Sequence, residues 1–150
     1  MNASSEILIS IYPEYADAIF RGEKTVELRR RIPGLRSGTK MWIYSTKPVG
    51  AILGFAIVAD VSKGPPGLMW QIFGERAAVG REKFDNYFSN ADVATCITLT
   101  GVNEGNPLSA DDFKIIRSRF HPPQVFTHLS DEESAYLTRM IFPEASQIAS

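Results

Sequence analysis

The chain has 150 residues, 44% of them hydrophobic and 11% aromatic, which suits one domain around an ordinary core and excludes a disordered or low-complexity chain. Sixteen Lys+Arg against seventeen Asp+Glu leave a formal charge of -1, so the protein is not uniformly basic and any anion site must rest on a local patch. Cys96 is the single cysteine and there are two dispersed histidines, a set that allows no internal disulfide and predicts no metal site.

The start, "MNASSE", lacks the basic-then-apolar layout of a secretory leader. "EILISIY" alternates and predicts a first strand. Pro13 suits the first turn of a helix, "PEYADAIFRG", whose Tyr15, Ala16, Ile19 and Phe20 recur at helical spacing. Gly22 stands where a helix C-terminal glycine belongs, and "KTVELRRRI" predicts a second strand stopped by "PG". "KMWIYST" and "AILGFAIVADV" read as the next two strands, joined by "KPVG". The run "GAILGFAIVADV" is too short to span a membrane, so the expectation is a soluble cytoplasmic protein without a membrane partner.

"GPPG" breaks the chain before two helical stretches, "LMWQIFGERAAV" and "REKFDNYFSN". In the second, Phe84, Tyr87 and Phe88 fall on one face. "VATCITLTGV" predicts a fifth strand. "PLSADDFKII" then opens on a Ser109 cap, and "LSDEESAYLTRMI" on a capping box formed by Ser130 and Glu133. The intervening "SRFHPPQVF" reads as irregular. Strands and helices do not alternate as in a doubly wound sheet, so the expected class is α+β: one small, mostly antiparallel barrel decorated with helices over residues 1–150.

The most charged stretch runs from Phe20 to Pro33 and holds Arg21, Glu23, Lys24, Glu27, Arg29, Arg30 and Arg31. Strand alternation puts Thr25, Glu27, Arg29 and Arg31 on one side, with Lys24 on the apolar side beside Val26 and Leu28. Glu27 and Arg29 would stand about 6–7 Å apart, close enough to pair or to grip one ligand. A salt-bridged edge strand explains the same pattern, since edges use charge to resist aggregation. Consecutive arginines also suit phosphate, which guanidinium matches bidentately.

Here "GEKTVELR" resembles the G-x-K-x-x-E-x-R signature of the ASCH domain, a branch of the PUA-like superfamily, with Gly22, Lys24, Glu27 and Arg29 at the signature positions. "SIYPEYADAIFRGEKTVELRR", "IYSTKPVGAILGFAIV", "GREKFDNYFSNADVATCITL" and "HPPQVFTHLSDEE" are similar to that family's successive segments, covering about residues 7–140. The resemblance implies a PUA-like β-barrel with a cleft beside the signature strand, binding RNA or a modified nucleotide. It also implies two candidate activities, amide hydrolysis on N4-acetylcytidine and ribonuclease action, both without a cofactor. Lys24 and Glu27 would be the catalytic pair if the protein is an enzyme, and Lys24, Glu27 and Arg29 the ligand contacts. Glu27 replaces a threonine implicated in the chemistry of the amidohydrolase relatives, which removes a covalent route through a hydroxyl there and weakens that assignment.

Around this strand the candidate binders are Tyr12 at the helix entrance, Ser45 and Lys47 in "YSTKP", and Arg119 and Gln124 in "RSRFHPPQ". Tyr44, Trp42 and Trp70 read as core aromatics before they read as stacking platforms. A third reading, a regulatory adaptor, predicts an exposed apolar patch from "LMWQIF" and no nucleotide affinity.

Overall fold

The computed structural model describes residues 6–144, so the leading "MNASS" of the reading above lies outside the described residues. β1 (Glu6–Ile11) buries aliphatic side chains on both faces, Ile7, Ile9 and Ile11 on one and Leu8, between Glu6 and Ser10, on the other. Ile7, Ile9 and Ile11 enter one cluster with Met41, Ile43, Ile97 and Leu99, whereas Leu8 enters a second with Trp42, Ile52 and Leu137. α1 (Pro13–Phe20) begins with Pro13 in its first turn and buries Ala16 and Ile19. Gly22 takes φ 80, and the amides of Glu23 and Lys24 both bond back to Ala18 O. That left-handed glycine lets the chain fold over the helix end at little steric cost.

β2 (Val26–Arg29), β3 (Lys40–Ser45) and β4 (Ala51–Gly64) follow. Next come α2 (Pro66–Phe73), a 3-10 turn over Gly74–Ala77, and α3 (Arg81–Tyr87). β5 (Ala94–Ser109) leads into α4 (Ala110–Phe113), β6 (Phe126–His128) and α5 (Asp131–Ile141). The six strands form one curled sheet in the order β2-β5-β4-β3-β1-β6, a half-barrel. β1 and β3 run parallel, and every other neighbouring pair is antiparallel. The expected mixed, mostly antiparallel, helix-decorated architecture is what the chain adopts.

Three differences from the sequence expectation matter. The second strand is shorter than "KTVELRRRI": the amide of Lys24 caps α1 and that of Thr25 bonds Arg76 O, so ladder pairing begins only at Val26. The fifth strand is much longer than "VATCITLTGV", because register shifts against β4 bend the ladder and let it continue through Gly101 and Pro107 to Ser109. β6 was hidden in the irregular segment and pairs only Ile7, Leu8 and Ile9 of β1.

A third cluster, with Met69, Phe73, Phe84, Phe88, Val26 and Cys96, glues α2 and α3 to the outer face of β2 and β5. Trp42 is fully buried, and its indole donates to Glu6 Oε1 at 2.7 Å, while Tyr44 packs edge-on against Phe120. On α2, Met69 and Phe73 are buried and Leu68 and Ile72 are about half exposed. Among the described residues no helix is long and apolar enough to cross a membrane.

Candidate functional site

The inner face of β2 carries polar groups where its neighbours carry aliphatic ones. Glu27 pairs with Ile97 across the ladder and Arg29 with Thr95, so both point toward the barrel interior at one end. Arg29 Nε donates to Glu27 Oε2 at 2.9 Å, with Nη2 2.8 Å from the same oxygen. Nη2 also donates to the carbonyl of Ser10 at 2.8 Å. That bond runs from the first strand of the sheet order to the fifth, closing by side chain a gap that the backbone ladder leaves open.

Lys24 is not on the apolar side, as alternation predicts. Because residues 22–25 wrap the end of α1 instead of extending, its side chain turns inward and its Nζ lies 3.7 Å from Glu27 Oε1. At that length the contact is ionic and not a hydrogen bond. Nζ donates to Ala77 O at 2.6 Å and stands 5.0 Å from the ring centre of Tyr15. Lys24 is 3% exposed and Glu27 6%. Burial pulls the Lys24 pKa below the ordinary lysine value, and Glu27 offsets only part of this. The turn that supplies Ala77 O ends on Ala78 in the left-handed region, φ 53, an uncommon conformation for alanine.

These groups line a hollow of about 620 Å³, within the usual range of small-ligand pockets. Tyr12, Glu14 and Tyr15 form the α1 wall, and Lys83, Asn86 and Tyr87 the α3 wall. Thr46 and the Pro123–Gln124 segment complete it. Lys24, Glu27, Arg29, Tyr12 and Gln124 are thus brought together. Ser45 is buried at the end of β3, outside the lining, and its hydroxyl has no hydrogen-bond partner among the described residues. Lys47 sits on the exposed β3–β4 turn and Arg119 is exposed beyond the wall; neither borders the hollow.

The arginine run divides its labour. Arg29 serves the hollow, while Arg30 donates to the carbonyls of Tyr87 and Ser89 and fixes the end of α3. Arg117 is also committed: it holds Glu133 through two bonds of 2.7–2.8 Å and reaches Thr127 Oγ1 and His128 O. Of the "YSTKP" lip only Thr46 borders the hollow, and reading along the sequence misses Glu14, Lys83 and Asn86. Nothing local marks those three; α3 reaches the hollow only because Phe84 and Phe88 dock against the back of β2. Among the described residues no three His, Cys, Asp or Glu side chains gather as a metal site would need.

With this geometry in view, the family model described as the ASCH domain matches residues 9–102, more than half of the chain. The chain belongs to the ASCH family. An ASCH domain-containing ribonuclease from Zymomonas mobilis is 37% identical over 135 residues, spanning 90% of this chain and 91% of its own. The crystal structure of ASCH from Zymomonas mobilis superposes with a TM-score of 0.89 at 36% identity, covering 91% of this ASCH protein and 96% of that chain. The N-terminal domain of Staphylothermus marinus McrB shares the fold alone, with a TM-score of 0.58 at 14% identity over 89% of this chain and 93% of its own.

Proposed function

We propose that this ASCH protein binds RNA, taking a short single-stranded segment or one modified nucleotide into the hollow between α1, β2 and α3. The observation that carries this reading is the convergence of Lys24, Glu27 and Arg29 on one cavity, 3.7 Å and 2.8 Å apart, beneath tyrosine walls. With Nε held by Glu27 and Nη2 by Ser10 O, Arg29 keeps Nη1 as the fixed donor for a phosphate or carbonyl oxygen. Glu27 Oε1, free of Arg29, accepts from a base amino group. Tyr12 and Tyr87, both exposed at the mouth, suit stacking on an unpaired base.

Strand cleavage at the same site is the second reading, favoured by the ribonuclease relative and by the buried lysine. In this reaction the ribose 2′-oxygen forms a bond to the adjacent phosphorus and its proton passes to Lys24 Nζ, a step that requires the amine form of that side chain. The bond from phosphorus to the 5′-oxygen breaks, that oxygen takes a proton from water, and a 2′,3′-cyclic phosphate remains. Arg29 balances the charge that builds on the phosphoryl oxygens. No metal is required by this route.

The test is anisotropy titration of a fluorescein-labelled single-stranded RNA hexamer against wild type, Arg29→Ala and Arg29→Lys, with melting curves as a folding control. Loss of a charge-assisted contact predicts about 10–100-fold weaker binding for Arg29→Ala. Equal affinity in a folded variant removes the site. A cyclic-phosphate product that vanishes in Lys24→Met establishes cleavage, whereas cytidine released from N4-acetylcytidine moves the assignment to amide hydrolysis.

A further inference from the structure

Glu14 on α1 and Lys83 on α3 both border the hollow, and they meet across its mouth: Lys83 Nζ lies 3.8 Å from Glu14 Oε2, with side chains 65% and 63% exposed. A pair so open to solvent is held weakly, and either member is free to change partner. On the floor the charges are unequal, because Lys24 and Arg29 face the single carboxylate of Glu27. With all three ionised, one positive charge is left over, which one phosphodiester neutralises. An RNA strand brings a further negative charge with each further nucleotide. The remaining cation on the lining is Lys83, and Glu14 already occupies it.

We propose that Lys83 is a phosphate contact for the nucleotide next to the one held on the floor, and that Glu14 is its competitor, displaced when RNA enters. The inference rests on the RNA-binding reading and sharpens it, making the ligand an oligonucleotide with at least two phosphates in reach instead of a free mononucleotide. It also gives Glu14 a selective role. A ligand with no second phosphate leaves the cross-mouth pair intact, and only a strand recovers the Coulomb energy lost when that pair opens.

The experiment compares wild type, Lys83→Gln, Glu14→Gln and Arg29→Ala, using a fluorescein-labelled single-stranded RNA hexamer and a labelled methyl ester of uridine monophosphate, a mononucleotide whose one phosphodiester carries one charge, across a potassium chloride series. Lys83 and Glu14 are exposed and, among the described residues, form an ion pair with each other alone, so both glutamine variants are expected to fold as wild type. Lys83→Gln is expected to weaken hexamer binding about 3–10-fold at low salt, to lower the log–log salt slope by about 0.7, and to leave the mononucleotide unchanged. Glu14→Gln is expected to tighten the hexamer about 2–5-fold, an advantage that fades as salt screens the competing charge. Wild-type affinity and slope in Lys83→Gln overturn the inference, while a loss confined to Arg29→Ala leaves the RNA-binding reading standing. Equal losses for hexamer and mononucleotide in Lys83→Gln place that lysine on the floor and overturn it too. No tightening in Glu14→Gln removes the competitor role. Wild type that binds neither probe brings down both readings.

Discussion

At Lys24 two demands on one side chain conflict. Its ammonium is buried with one carboxylate 3.7 Å away and one carbonyl at 2.6 Å, while Arg29 makes the closer claim on that carboxylate. Burial is the largest influence on its pKa and acts downward, so the folded state disfavours the charged form. Below the lowered folded value the protein holds this unfavourable charge. As pH rises through that value the proton leaves the folded state first, and stability rises until the unfolded chain, near the usual lysine value of about 10.4, has lost its proton as well. Lys24→Met, with Glu27 still held by Arg29, is therefore expected to raise stability at neutral pH by about 1 kcal/mol and to flatten this rise. RNA binding or cleavage should be lost in the same variant, as expected where a site is kept at the expense of stability. Urea unfolding at pH 7 and pH 10 checks both signs. A less stable variant would mean that Glu27 needs both cations. The trio was legible through the resemblance of "GEKTVELR" to the ASCH signature, whereas the residue types alone fitted a salt-bridged edge strand equally well. The orientation of Lys24 was not legible, because it follows from a helix cap that reassigns two backbone amides and not from alternation.

Elements obeyed their local signals where those signals were local. Pro13, Gly22, the Ser109 cap and the Ser130–Glu133 box all stand where the sequence put them, each a short-range hydrogen bond or dihedral preference. β5 and β6 were misjudged because strand length depends on a partner. The bulged ladder with β4 carries β5 past residues that read as a turn, and the three residues of β6 have no pattern long enough to see. The Arg117–Glu133 pair shows how such elements are then locked. One guanidinium joins the chain after α4, the strand β6 and the first turn of α5, while Glu133 Oε1 also accepts from Ser130 N. The Arg117 hydrogen bond is the main cause of the lowered Glu133 pKa. A depressed carboxylate contributes stability that is present above the unfolded glutamate value, about 4.3, and lost as pH falls through the lower folded one. Glu133→Gln is expected to cost about 1–3 kcal/mol at pH 7. The gap to wild type should close in acid, measured by urea titrations from pH 7 downward, and a gap that persists there would argue against the ion pair as its source.

Over the whole molecule, β4 and β5 are the longest strands, at 14 and 16 residues, whereas β2 is four residues long and has β5 alone as a ladder partner. The site was legible in its charged floor and, among its walls, in Tyr12 and Gln124; Lys83 and Asn86 were not, because they arrive on a helix distant in sequence that an apolar cluster carries into place. The gap beside β2 is spanned by one guanidinium-to-carbonyl bond, from Arg29 to Ser10. A four-residue edge strand with one ladder partner is the natural part of the sheet to open before its centre, even with the contacts that bind it to α2 and α3. Amide hydrogen exchange should therefore release the protons of Val26–Arg29 through a partial opening well before those at the centre of β4; simultaneous release would mean that edge and centre come apart as one. The short strand then behaves as an expansion joint. On the proposed RNA-binding reading, opening there would make room for an oversized base at the loss of the Arg29–Ser10 bond, without melting the longer strands.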